Sequence, residues 1–369
     1  MRTRAGRGAA RADASTSAGR AGEPFRPVGE HGVRLFMGKD DRLTAFARAE
    51  GGLVRWTQRR AGAADWGEPE LLPAPRLTHL SITQGADGFV HFVGRRVSAD
   101  GDSVAVVQAV QYQTGRPLTQ WHTIGNPHKD PERARAVTGP GGAVSATGRL
   151  HVFLARADGG VMMRQEAANG RWPAWKGLKG QLAQEGAVAV ASASGRIELL
   201  VPDTVGRTMR WRQSEPDGEP ERCPNIHIAP APGTLTGIET AAERFTYYWA
   251  DAATGGVFAH RPGSWVIPLG GGPVSGRIQA LRMALDGYDC TVLAHRSTDG
   301  DVMLAACATE NESAGLWWAP TGERCVGPPA LIRDVYGRLL IAVLGEEGEL
   351  RVAEQTPASG LVMGPAVRV

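Results

Sequence analysis

Residues 143–166 read AVSATGRLHVFLARADGGVMMRQE, and the order of small, alternating and turn-forming residues in that stretch decides the fold. RLHVFLAR, at 149–156, alternates apolar and polar side chains as a half-buried strand must. It is bounded by Thr147-Gly148 and Asp158-Gly159, and the Asp-Gly pair readily takes the positive φ that a tight hairpin needs. A short small-residue strand, Ala143 to Ala146, precedes it, and a third strand opens at Val161 after the second turn.

Outward from there, the pattern recurs. In the next unit Ala187 to Ala191, Ser194-Gly195 and RIELLVPD repeat the same sequence of parts. Equivalent second-turn glycines stand at Gly51, Gly101, Gly159, Gly206, Gly255, Gly300 and Gly348, with a mean spacing of 49.5 residues. The 342 residues after position 27, divided by that spacing, make 6.9 units. A third-strand column follows as Leu53, Val107, Val161, Thr208, Val257, Val302 and Leu350, and then a loop leads to a fourth strand that often carries Trp. Asp87-Gly88, Asp286-Gly287 and Asp299-Gly300 supply further hairpin turns. No segment sustains a long amphipathic helical period, which disfavours helical solenoids and βα arrays. Seven units of four antiparallel strands, a to d, predict an all-β, seven-bladed β-propeller over residues 28–369 with essentially no helix. One unit is stretched: NPHKDPERARAVTGPG, at 126–141, lengthens a strand d to strand a connection. Unit 1 supplies its own four strands from Val33 to Met37 onward, so closure needs no strand from the far terminus.

Composition narrows the function classes. Glycine and proline together reach 73 of 369 residues, above the background of about 12% but below the roughly 25–30% of disordered low-complexity chains. Residues 1–27 hold six Arg against Asp13 and Glu23, a local charge of +4 that leaves the remainder near −1. A neutral body disfavours a nucleic-acid partner, which needs clustered cations to displace counterions. Those first 27 residues contain no apolar signal core and read as a disordered tail. The absence of such a leader makes cytoplasm the default, with leaderless export open. No apolar stretch approaches the roughly 18 residues of a membrane span. Cys223, Cys290, Cys307 and Cys325 are too few and too irregular for a disulfide framework or a zinc site and are expected as buried thiols.

The ten tryptophans are ordered. Trp66, Trp121, Trp175, Trp265 and Trp317 or Trp318 fall at the start of strand d in five units. Trp56 and Trp211 share one strand c position, where the other units place Val110, Arg164, His260, Ala305 and Ala353. GGLVRWTQRRAGAADWGEPELL at 51–72 and GGVMMRQEAANGRWPAWKGLKG at 159–180 resemble the repeats of PLL-like seven-bladed propeller lectins, with relatives among tectonin-type and fucose-binding propellers. The resemblance spans residues 28–369 in architecture and is clearest in units 1, 3 and 4. It implies a non-enzymatic, multivalent protein with shallow aromatic-lined sugar sites at blade junctions, for fucose-type or related glycans. A pyranose stacks its C–H face on an aromatic ring and offers hydroxyls to fixed polar groups. The expected binding set is Arg55, Trp56, Gln58 and Trp66 in unit 1, Arg164 and Trp175 in unit 3, and Arg210, Trp211 and Gln213 in unit 4. Rings at blade seams equally serve as packing.

Other chemistry leaves weaker traces. Ser98 to Gly101 and Ser297 to Gly300 approach the sialidase Asp box but lack its closing aromatic, so they read as hairpins. Asp100 with Asp102, and Asp299 with Asp301, fall short of the six or more oxygens calcium takes, and no zinc-type histidine spacing occurs, so neither metal nor other cofactor is expected. His122, His128, Asp130 and Glu132 gather near the enlarged loop and are the one cluster suited to acid/base work. Three functions remain open: a glycan-binding lectin, a scaffold for a protein partner, and a glycoside hydrolase or lyase with its site at the channel mouth. Propellers host all three.

Overall fold

Each of the seven repeat glycines sits at positive φ, between 70° at Gly255 and 94° at Gly300, and each turns strand b into strand c. The computed structural model describes residue 28, residues 31–358 and residues 360–369; the expected tail, 1–27, lies outside the described residues. Seven separate four-stranded antiparallel sheets result, each built from strands consecutive in sequence. As blades 1 to 7 they span residues 33–73, 77–125, 141–177, 188–226, 236–270, 274–324 and 330–368.

A blade has two apolar faces and no partner within itself, so its core lies against its neighbours. Seven buried seam clusters do this work, each uniting two blades. The ring closes in the same way. Val33, Ala45, Val54 and Trp56 of blade 1 pack on Leu340, Ala342, Leu344 and Val352 of blade 7. Among the described residues each blade's four strands are consecutive, and none is exchanged between the termini.

Strand boundaries shift slightly from expectation. Strand a of blade 3 is Gly141–Val144, because Ser145 already accepts the Gly148 amide in the turn. Strand c of blade 2 begins at Val104, three residues before Val107. The Ser98 and Ser297 segments are hairpin turns, closed by Gly101 N–H to Ser98 O and Gly300 N–H to Ser297 O. The enlarged loop holds a single-turn helix, α1 (Pro131–Arg135), with Asp130 capping the Arg133 amide and Pro131 in the first turn. Of the four free thiols, Cys307 and Cys325 are buried while Cys223 and Cys290 are partly exposed, which corrects the expectation of four buried thiols.

Candidate functional site

Near the start of strand b, six blades carry a polar residue that is buried: Thr44, His91, His151, Glu198, Thr246 and Thr291. Blade 7 has Leu340 there. A polar group out of water needs a partner, since leaving it unpaired costs about 1–3 kcal/mol. His151 Nε2 meets Asp217 Oδ1 at 3.1 Å from the c–d loop of blade 4. Glu198 takes Arg210 through two bonds of 2.6 and 2.9 Å and also the Tyr247 hydroxyl of blade 5. Thr246 bonds Thr240, and Thr291 bonds Thr309.

His91 breaks this pattern. Neither of its ring nitrogens has a hydrogen-bond partner, although the side chain is only 4% exposed. Gln108, on the neighbouring strand c and 2% exposed, likewise leaves its Oε1 unpaired. Both line a cavity of about 470 Å³ at the seam between blades 2 and 3, completed by Val110, Tyr112, Thr119 and Glu166. At the next seam Asp217 reaches in to bond His151 Nε2, leaving Nδ1 alone without a partner; no described side chain bonds either ring nitrogen of His91. The rim carries Tyr112, 55% exposed, braced edge-on by Phe89 at 4.9 Å. Burial pulls the His91 pKa down, against the opposing charge of Asp87, so the ring is neutral with one donor and one acceptor nitrogen. Burial pushes the Glu166 carboxyl up, against a backbone bond and the charge of His122.

The residues expected to bind a ligand are placed differently. Trp56 and Trp66 are buried in the seam between blades 7 and 1. Trp211 is buried in the seam between blades 3 and 4, its indole N–H donates to Leu178 O at 2.9 Å, and the Arg222 guanidinium covers its ring at 4.5 Å. Neither strand c indole presents a face to solvent. Arg55, 3% exposed, pairs with Glu70 and donates to Gly115 O and Arg116 O. Arg210 is committed to Glu198. Gln58 and Gln213 are latches: each accepts the amide that opens strand b, Leu43 at 3.1 Å or Ile197 at 2.8 Å, and donates to the c–d loop. Gln355 does the same for Leu339 in blade 7. Arg164 and Trp175 do come together, in a cation–π contact of 5.8 Å on the blade 2–3 seam, with Arg164 also donating to Trp172 O.

Two readings of position change with the register. Trp56 lies opposite Ala45 and Trp211 opposite Leu199, each two residues into strand b; the blade 2 equivalent is Ala109 opposite Phe92, so Val110 points to the other seam. The proposed acid/base cluster is also dispersed. His122 and Gly125 are the two ends of strand d (His122–Gly125), so His122 borders the seam cavity while His128 and Asp130 sit in the loop beyond the opposite end.

A further feature is not marked by the repeat pattern. Among the described residues, Tyr112, Trp265, Tyr288, Trp317 and Tyr336 are the strongly exposed aromatics, with Trp265 91% and Trp317 85% accessible. All five lie at a–b turns or c–d loops, which share one face of the ring. The strand b column, visible as LTAF, VHFV, LHVF, IELL and FTYY, was the signal that would have found His91.

No protein-family model and no curated protein sequence matches the chain. Among solved structures it is similar to the BP39L lectin of Burkholderia pseudomallei, with 11% identity, 92% of this chain and 99% of that one covered, and a TM-score of 0.68. A putative 6-phosphogluconolactonase of Bacteroides uniformis aligns at 16% identity over 92% of this chain and 95% of that one, with a TM-score of 0.54. A mutant of NanB sialidase from Streptococcus pneumoniae aligns at 11% identity over 96% and 72%, with a TM-score of 0.50. At such identities the likeness is one of fold: the chain shares the propeller architecture with a lectin and with proteins described as enzymes.

Proposed function

We propose that this chain is a carbohydrate-binding propeller whose best-built site is the cavity between blades 2 and 3. One observation carries the reading: His91 and Gln108 hold unpaired hydrogen-bonding atoms in the same cavity that the exposed ring of Tyr112 lines. A pyranose answers both demands, because each hydroxyl donates and accepts while the C–H face packs on an aromatic ring. Glu166 and Thr119 add oxygen acceptors at the wall. The similarity in fold to a structure described as a lectin supports this choice, and the aromatics on the same face of the ring offer further contacts for a branched or surface-bound glycan. Binding by one monosaccharide is weak, and presentation of many ligands on a surface raises avidity.

The test is a glycan array with the full chain, followed by Tyr112→Ala and His91→Phe. Both variants should keep the parent Tm within a few degrees and lose at least tenfold in affinity for the glycan that the parent binds. A parent that binds no glycan, or a folded Tyr112→Ala that binds as the parent does, overturns the reading. Release of reducing sugar from a bound glycan replaces it with a hydrolase.

A further inference from the structure

On the face opposite the exposed aromatics, the strand d to strand a connections surround the mouth of the central channel, which holds a cavity of about 740 Å³. Two innermost strands point cations into it: Val33–Met37 of blade 1 carries Arg34 and Val274–Leu285 of blade 6 carries Arg277. No carboxylate among the described residues pairs with either. Arg277 Nε is buried without a partner, and the Arg277 guanidinium finds only Thr236 Oγ1 at a long 3.4 Å. A third cation, Arg296, is held by neutral oxygens, Cys325 O at 2.7 Å and Ser275 Oγ at 2.9 Å.

No described neighbouring group offsets the charge of the two arginines, which are electrostatically unfavourable to each other. Arg34's charge first, and burial second, pull the Arg277 pKa well below the ordinary guanidinium range. His79, on the same wall, is pulled down to about 4 by burial and then by Arg95, His31 and Arg48. The carboxylate on the cavity wall, Glu185, is bonded to the Gly139 amide at 2.9 and 3.2 Å, and burial raises its pKa. Buried charges in proteins are normally paired, and a concave wall of one sign concentrates counter-ions.

We propose that the central channel is an anion site that takes a phosphate group between Arg34 and Arg277. A planar carboxylate satisfies one guanidinium fork, whereas a tetrahedral oxyanion presents oxygens to two forks at once. The bound group restores the missing partner of Arg277 Nε and cancels the repulsion between the two arginines. The cavity has room for an ester behind the phosphate, so the ion is either free phosphate or the end of a phosphate monoester. This site is separate from the seam cavity and does not depend on the carbohydrate reading.

The experiment is calorimetry and thermal melting of the full chain with inorganic phosphate, glycerol phosphate and acetate at matched ionic strength. Phosphate should bind once per chain and raise Tm where acetate does not; tighter binding of glycerol phosphate assigns the ester as ligand. Arg277→Gln and Arg34→Gln should each weaken phosphate at least tenfold, and Arg277→Gln should raise Tm in phosphate-free buffer because the repulsion is gone. Equal responses to phosphate and acetate overturn the proposal, as does a variant with parent affinity. Should the variants fail to fold, phosphorus NMR on the parent decides: saturable broadening at one equivalent supports the site, and no broadening, or broadening without saturation, refutes it.

Discussion

Tyr247 of blade 5 donates its hydroxyl to Glu198 of blade 4, tying the two blades through a carboxylate that already holds Arg210 by two bonds. All three groups meet in a seam that excludes water: Glu198 and Tyr247 are fully buried. Burial alone would lower the Arg210 pKa, but Glu198 more than offsets it and the group is raised. Removing one partner strands the others. Glu198→Leu should therefore cost about 3–5 kcal/mol, and Tyr247→Phe about 1–3 kcal/mol, read as lower urea midpoints at unchanged slope.

Trp56→Ala and Trp211→Ala should act on stability. Each ring fills a seam and is about 1–3% exposed, so truncation leaves a cavity and should cost about 3–5 kcal/mol. Glycan affinity per folded molecule should match the parent. A folded variant that loses binding would restore these rings to the ligand site.

The glutamine latches should show in hydrogen exchange. Gln213→Leu removes the acceptor of the Ile197 amide and the donor to Gly218 O, two bonds within one blade. The Ile197 amide should exchange at least tenfold faster, with a loss of about 1–3 kcal/mol on melting.

Acid should weaken the fold first through its buried histidines. His79, His91, His128, His151, His260 and His295 all have lowered pKa values, with burial the first cause in each. The unfolded chain takes up protons near the ordinary value of about 6.5 while the folded chain does not, so stability falls as pH drops from about 6.5 toward 4. Glu243 extends the loss. Burial raises its pKa, but bonds from Ser194, Arg196, Ser192 and Arg212 outweigh that and hold it at about 2, so its contribution disappears from about 4.3 downward. Urea midpoints at pH 7.5 and 5, with proton uptake measured on unfolding, check the sign; a flat midpoint contradicts it.

Closure of the ring should be indispensable. A chain ending before Pro328 lacks blade 7 and bares Val33, Ala45, Val54 and Trp56 on one side and Met283, Val292 and Val302 on the other. It should aggregate or melt without cooperativity. A well-folded truncation counts against closure by seam packing.

Much of the architecture was written locally. A glycine at positive φ, an alternating strand and a small-residue strand are properties of a few adjacent residues, so Gly51 through Gly348 announced the seven blades and their strand order. Turn chemistry and period act within one hairpin, and the repeat multiplies the signal. The one-turn helix at Pro131–Arg135 escaped because five residues are too few to show a period.

The candidate site was legible only in part, because its meaning lies across a seam. Trp56 and Tyr112 are both aromatic residues of a strand c or its loop, yet one is sealed by blade 7 and the other stands 55% exposed. His91 and His151 occupy the same strand b position; Asp217, 66 residues after His151, bonds Nε2 of one, and the other faces an open cavity with neither nitrogen bonded. Arg34 and Arg277 stand 243 positions apart in the chain and share the channel because the ring brings blades 1 and 6 to one axis. The number of blades, their order and the polar column of strand b follow from local backbone and side-chain pattern and are therefore readable along the chain. Tertiary structure alone decided which polar groups are answered, because an ion pair or hydrogen bond between blades depends on distance in space, to which neighbouring residues in the chain contribute nothing.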